Sequence, residues 1–168
     1  MDTTEVLIKI RKIFRSINLE SKKIQKEYGV SIPQVLCLNY LKSSPDFHAT
    51  QGDIRKFLNL NSSTASGIID RLEIKGLVAR LPRQGDKRVV NIILTSKGAQ
   101  ILEQIPPILH VQLSQKLSRL PAEKLANIQE SLETLINLLN IDDLEASPLL
   151  SIDELPYLVQ KKEEGPLR

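Results

Sequence analysis

The apolar positions of this chain change their spacing part-way along, and the change divides it into segments. From residue 3 to 28, Val6, Ile10, Ile13 with Phe14, Ile17 and Ile24 recur at helical spacing; Asp2 with Glu5 makes an N-terminal cap, and Gly29 stops the run. In SIPQVLCLNYL, Ser31 and Gln34 form an S-x-x-Q capping pattern with Pro33 in the first turn, which predicts a second helix running to the neighbourhood of Lys42. SSPDFH reads as a loop. Thr50 and Asp53 repeat the cap logic and open a short helix toward Leu58, with Ile54, Phe57 and Leu58 turned inward. Asn61 or Ser62 then caps SSTASGIIDRLEIK, which Gly76 ends and whose core positions are Ala65, Ile68 with Ile69, and Leu72. Two short helices across a tight polar turn make a helix-turn-helix.

Beyond Gly76 the period becomes alternating. LVARLPR and RVVNIILT read as two strands joined through Gln84-Gly85-Asp86, a hairpin with Val90, Ile92 and Leu94 on one face. Pro82 restricts its strand to a sheet edge. Thr95 caps a long helix from Ser96 toward Leu120, with Pro106-Pro107 placed to kink it. Pro121 begins another, striped by Leu125, Ile128, Leu132, Leu135 with Ile136, and Leu139. The remainder, residues 141–168, mixes acids with Leu, Ile and Tyr157; too apolar for simple disorder, it reads as one or two short helices packed back on the body.

Composition narrows the picture. The 168 residues suffice for one domain, or one domain with extensions, and an aromatic content of 4% implies an aliphatic, largely helical core. MDTTEVLIKIRK lacks the apolar core and cleavage site of a signal peptide, and no apolar run is long enough to span a bilayer, so the expected location is the cytoplasm and no membrane partner is expected. Cys37 is the single cysteine, which fits a reducing compartment. Among Val35, Leu36 and Leu38 it reads as a small core residue, the alternative being a redox-sensing thiol. His48 and His110 show no metal-ligand spacing with it. There is no Gly-rich phosphate loop, nucleophile motif or clustered acid pair, so no metal, cofactor or enzymatic activity is expected.

Charge is distributed unevenly. Residues 50–98 carry nine Lys and Arg against four Asp and Glu, whereas residues 141–168 carry three against seven. In RLPRQGDKRVVNIILTSKG, Arg80, Arg83, Lys87 and Arg88 crowd around the Gly85-Asp86 corner. A helix-turn-helix followed directly by a basic hairpin is the order of a winged helix. Its second helix can enter a major groove while the hairpin tip follows the backbone or drops into the neighbouring minor groove, where negative potential favours Arg. Arg88 is then the minor-groove candidate, and Lys87 and Arg83 are phosphate contacts. Asp86 orients the Arg88 guanidinium by a charge-assisted hydrogen bond.

The stretch from Ala49 to Leu102 resembles the MarR family of bacterial transcription regulators. The resemblance rests on the DRLEIKGLV segment at Asp70 to Val78, the wing triplet Asp86-Lys87-Arg88, and the closing Leu94-Thr95 with Gly98. It covers residues 31 to about 140 in element order and implies a mainly α fold with a small β-hairpin wing. The implied domains are a winged helix-turn-helix over 31–96, a dimerisation domain of residues 1–30 and 97–140, and an extension over 141–168. The implied partners are double-stranded DNA with a pseudo-palindromic operator, a second copy of the chain, and a small aromatic ligand that relieves repression. Ser63, Thr64, Ser66 and Gly67 would contact DNA from the first turns of the recognition helix. Gly67 departs from the family, where many members carry a larger polar or basic residue. Arg71 and Lys75 are candidate phosphate contacts, Arg71 being equally a partner for Asp70 or another surface acid. Phe14, Phe47, His48 and Tyr40 are candidates for a ligand pocket or, alternatively, for core packing. The competing reading is a winged-helix module that binds protein without operator recognition.

Overall fold

The computed structural model describes residues 3–81 and 89–141. The expectations for Asp2, Pro82, the Gln84-Gly85-Asp86 corner and the tail from 142 onward lie outside the described residues. Among the described residues, seven helices and three short strands follow in the order α1 (Thr3–Tyr28), α2 (Ile32–Ser43), β1 (His48–Thr50), α3 (Gln51–Phe57), α4 (Ser62–Ile74), β2 (Val78–Arg80), β3 (Asn91–Leu94), α5 (Ser96–Gln104), α6 (Leu109–Leu117) and α7 (Ala122–Leu139).

Helix starts follow the capping chemistry. Ser31 and Gln34 close a capping box on α2, with the Ser31 N–H donating to Gln34 Oε1 at 3.1 Å. Thr50 Oγ1 accepts the Asp53 N–H at 3.0 Å, and Asn61 Oδ1 accepts the Thr64 N–H at 2.8 Å. Each such bond satisfies an orphan donor and stabilises by about 0.5–2 kcal/mol. α4 ends in a Schellman motif: the Gly76 N–H donates to Glu73 O, and the Leu77 N–H reaches back to Leu72 O at 2.9 Å. Gly76 has φ 71°, and Leu77 and Leu72 are both buried, the apolar contact that accompanies this motif.

Three features differ from the sequence expectations. SSPDFH holds a single 3-10 turn at Pro45–Phe47 and leads into β1, which pairs antiparallel with β3 so that Ala49 faces Ile92. Three residues are too few to show alternation, and their partner strand lies far along the sequence. The sheet therefore has three strands in the order β1-β3-β2, with β2 at an edge. The long helix after Thr95 is two helices, because Pro106 and Pro107 each remove a donor and disfavour helical geometry in the residue before. Phe57 is half exposed instead of inward, its ring stacked on Tyr40 with centroids 4.4 Å apart.

By compactness the chain divides between Pro106 and Pro107. In the first unit α2 is the central helix. Every residue from Ile32 to Leu38 is buried, as is Leu41, and α2 packs against α1, α3, α4, α5 and the sheet. A helix apolar on all sides belongs in the middle of a domain. Ala65, Ile68, Ile69 and Leu72 of α4, Ile54 of α3 and Ile92 of β3 complete this core. Each large side chain buried there contributes about 1.5–3 kcal/mol relative to exposure. The second unit holds α6 and α7; α7 ends at Asn140 in the left-handed conformation, and Ile128, Leu132, Ile136 and Leu139 all remain substantially exposed along it.

Thr95 and Gly98 meet the turn after α4. The Thr95 hydroxyl accepts the Gly98 N–H at 3.1 Å, capping α5, and donates to Gly76 O at 2.7 Å. A Cβ on Gly98 would overlap the Leu77 carbonyl oxygen and lie 2.7 Å from Leu94 Cδ1, so only glycine admits this approach of α5 to the turn. Gly98→Ala is expected to destabilise the fold by about 1–3 kcal/mol, through displacement of backbone that cannot give way cheaply. Urea denaturation monitored by circular dichroism measures it; an unchanged midpoint would remove the close-approach account.

Candidate nucleic-acid interface

Burial of four residues fixes the rotation of α4. With Ala65, Ile68, Ile69 and Leu72 inward, Ser62, Ser63 and Asp70 face outward and Ser66 is partly exposed. The Ser63 hydroxyl donates to Asn61 Oδ1 at 2.8 Å, which leaves its oxygen outward as an acceptor. Thr64 and Gly67 do not share the exposed surface: both are buried, Thr64 with 5% exposure. Each sits one position from an inward-facing residue, Thr64 beside Ala65 and Gly67 beside Ile68, and the turn of the helix carries them in.

The charged residues of α4 have several uses. The Arg80 guanidinium on β2 pairs with Asp70 at 2.5 Å and with Glu73, and its backbone N–H donates to Glu73 Oε1 at 3.1 Å. The Asp70 hydrogen bond, assisted by the charges of Glu73 and Asp70, raises the Arg80 pKa against the opposing effect of burial. Arg80 therefore fastens β2 to α4. Asp70 is taken by Arg80, and Arg71 is partly exposed. Lys75 is partly exposed, and its ammonium is tied to the protein, donating to Gly29 O at 2.5 Å and to Gln34 Oε1 at 3.2 Å. Arg83, Asp86, Lys87 and Arg88 lie outside the described residues.

Beside the start of α4 is a cleft of about 330 Å³ lined by Thr50, Gln51, Gly52, Arg55, Ser62, Val89 and Val90. Arg55, partly exposed, brings a cation to it from α3. Sequence alone does not single out Arg55, because its nearness to Ser62 and Val90 depends on where the start of α4 and the approach to β3 come to lie.

Of the aromatic residues considered for a pocket, Phe14 and Phe47 are 61% and 56% exposed and so are not core side chains in the single chain, while Tyr40 is stacked on Phe57. Phe47 and Asp46 occupy the left-handed region at φ 58° and 50°. Cys37 has no accessible surface, and burial pushes its pKa up to about 12. The described residues contain no group of three or more His, Cys, Asp or Glu able to hold a metal ion, and no helix long and apolar enough to cross a membrane.

Comparison with known proteins matches residues 28–89 to the model of the MarR family. The chain is 26% identical over 140 residues to the multiple antibiotic resistance protein MarR of Escherichia coli K12, covering 80% of this chain and 96% of that protein. Among solved structures it resembles Staphylococcus aureus MepR in complex with DNA, at 25% identity and a TM-score of 0.58 over 76% of this chain and 93% of that one. AbsC of Streptomyces coelicolor, described as a MarR family transcriptional regulator, shares the fold with a TM-score of 0.59 at 21% identity, over 83% and 96% of the two chains.

A thiol buried and kept protonated is a poor nucleophile. Cys37 is expected to resist alkylation at pH 8 in the native protein and to react fully in denaturant. Mass spectrometry distinguishes the two states, and rapid native labelling would reinstate the redox reading.

Proposed function

Because the chain belongs to the MarR family, we propose that it regulates transcription as a two-fold dimer whose α4 helices read DNA and whose basic hairpins hold the flanking backbone. The chain is a DNA-binding transcription regulator and not an enzyme. The observation that carries this reading is the clamping of β2 to α4 by Arg80. The Leu81 N–H donates to Asn91 O at 2.9 Å, which extends the pairing of β2 with β3 beside that clamp. Ser63 and Ser66 serve as the outward base-edge contacts, and Arg71, Arg83, Lys87 and Arg88 as the cationic ones, with Asp86 orienting Arg88. Thr64 and Gly67 support the helix from its buried side. Arg55 joins the phosphate-binding set from the cleft next to Ser62.

Association of two copies accounts for the apolar stripes left open. Val6, Leu7, Ile13 and Phe14 on α1 are about half exposed or more, as are Leu132 and Leu139 on α7. Covering these stripes with a second chain removes apolar surface from water and presents two recognition helices to half-sites about 34 Å apart. Binding at the operator represses, and a small aromatic ligand that favours a dimer with different helix spacing lowers DNA affinity, since differential affinity for two states is the source of such coupling. The protein acts in the cytoplasm.

Two measurements test this reading. With about six phosphates neutralised per dimer, the logarithm of affinity for mixed genomic DNA should fall with log salt at a slope near -5, and Arg88→Ala should lose about 1–3 kcal/mol of affinity. A salt-independent parent would instead indicate a protein-binding module. Leu132→Asp should convert the dimer to a folded monomer in sedimentation, because Leu132 is 52% exposed in the single chain but would bring an unpaired charge into an apolar seam. A variant that stays dimeric would place the interface elsewhere.

A further inference from the structure

We propose that Lys75 is a positioning residue for DNA binding: its ammonium ties the C-terminal end of α4 to the junction of α1 and α2, and it is not a phosphate contact. The proposal rests on the DNA-binding reading above and adds a link between the long N-terminal helix and the recognition helix.

Three observations converge on one residue. The Lys75 ammonium reaches 46 positions back in sequence to Gly29 O at 2.5 Å, just past the end of α1. The last carbonyls of a helix lack intrahelical donors and carry its negative pole, so a cation is favoured there. The same ammonium donates to Gln34 Oε1 at 3.2 Å, and Gln34 is 2% exposed. That oxygen also accepts the Ser31 N–H at 3.1 Å, so Lys75 supplies the second donor to a buried amide oxygen with two lone pairs. Finally, the Lys75 carbonyl accepts the Lys97 ammonium at 2.8 Å, and the next carbonyl, of Gly76, accepts the Thr95 hydroxyl. The last turn of α4 is thereby joined to α1, α2 and α5 within two residues.

This placement separates Lys75 from the tip cations. An ammonium has three donors, and here two are directed at protein acceptors, one of them on buried Gln34. Turning it to a phosphate would strip donors from Gly29 and Gln34. Held as it is, it transmits to α4 a shift of the end of α1, the helix whose open stripe the second copy covers.

The test uses the full chain, a duplex selected by the parent protein from random sequences, and hydrogen exchange of the free protein. Lys75→Met is expected to weaken binding about tenfold with an unchanged salt slope, whereas loss of two phosphate contacts, one per subunit, flattens the slope by about 2. In the free variant, amides near Gly29 to Val35 and at the end of α4 should exchange faster. Gln34→Met supplies an independent variant that keeps every cation. It should weaken binding too, and its combination with Lys75→Met should lose less than the two single changes added together. A flattened slope, unchanged affinity or additive losses overturn the positioning role. Unchanged exchange overturns the tie whether or not DNA binds; faster exchange in a chain whose parent binds no duplex sinks the DNA-binding reading and leaves the tie standing.

Discussion

The rotation of α4 about its own axis is the constraint on which the rest depends. Ala65, Ile68, Ile69 and Leu72 are each at most 1% exposed, and a helix advances by a fixed angle per residue, so burying these four leaves no freedom in what faces out. The same rotation that exposes Ser63 and Ser66 brings Asp70 and Glu73 to Arg80. It also carries Thr64 and Gly67 inward. The apolar face thus decides the polar one: two acids of α4 meet the Arg80 guanidinium on β2.

Two sequence motifs that look independent prove to be halves of one contact. KGLV, at residues 75–78, ends the recognition helix, and LTSKG, at residues 94–98, starts α5. Gly76 supplies the left-handed turn, Leu77 presents its carbonyl, Thr95 caps α5 while binding Gly76 O, and Gly98 leaves room for the Leu77 carbonyl. The spacing between the motifs reflects the length of the hairpin that separates them. Their pairing is why the segment after α4 returns to the core instead of diverging from it.

Much of this was legible in the sequence because capping is local. Ser31 with Gln34, Thr50 with Asp53, Asn61 with Thr64 and Thr95 with Gly98 each declare a helix start within four residues, and the described helices begin where those pairs stand. Long-range facts were not legible. β1 exists because β3 lies alongside it, and the use of Lys75 depends on where Gly29 comes to rest. On α4, helix phase made the outward position of Ser63 and the partial exposure of Ser66 legible. Arg80 was grouped with the tip cations because sequence distance from Gly85 says nothing of the two acids one helix away. Phe57 was placed inside on apolarity alone, although ring stacking on Tyr40 is also available to an aromatic side chain at a surface.

The sheet order has a consequence for how the hairpin can vary. β3, the returning strand, is flanked on both sides, by β1 and by β2, and a hydrogen bond between Leu81 and Asn91 closes the base of the excursion. Lengthening a loop whose ends are already pinned adds only about 0.6 kcal/mol of closure entropy per doubling. The excursion between those residues is therefore a permissive place to graft extra sequence or a reporter tag. On the proposed DNA-binding role, changes of length or charge there would retune the grip on nucleic acid while α4 keeps its seat.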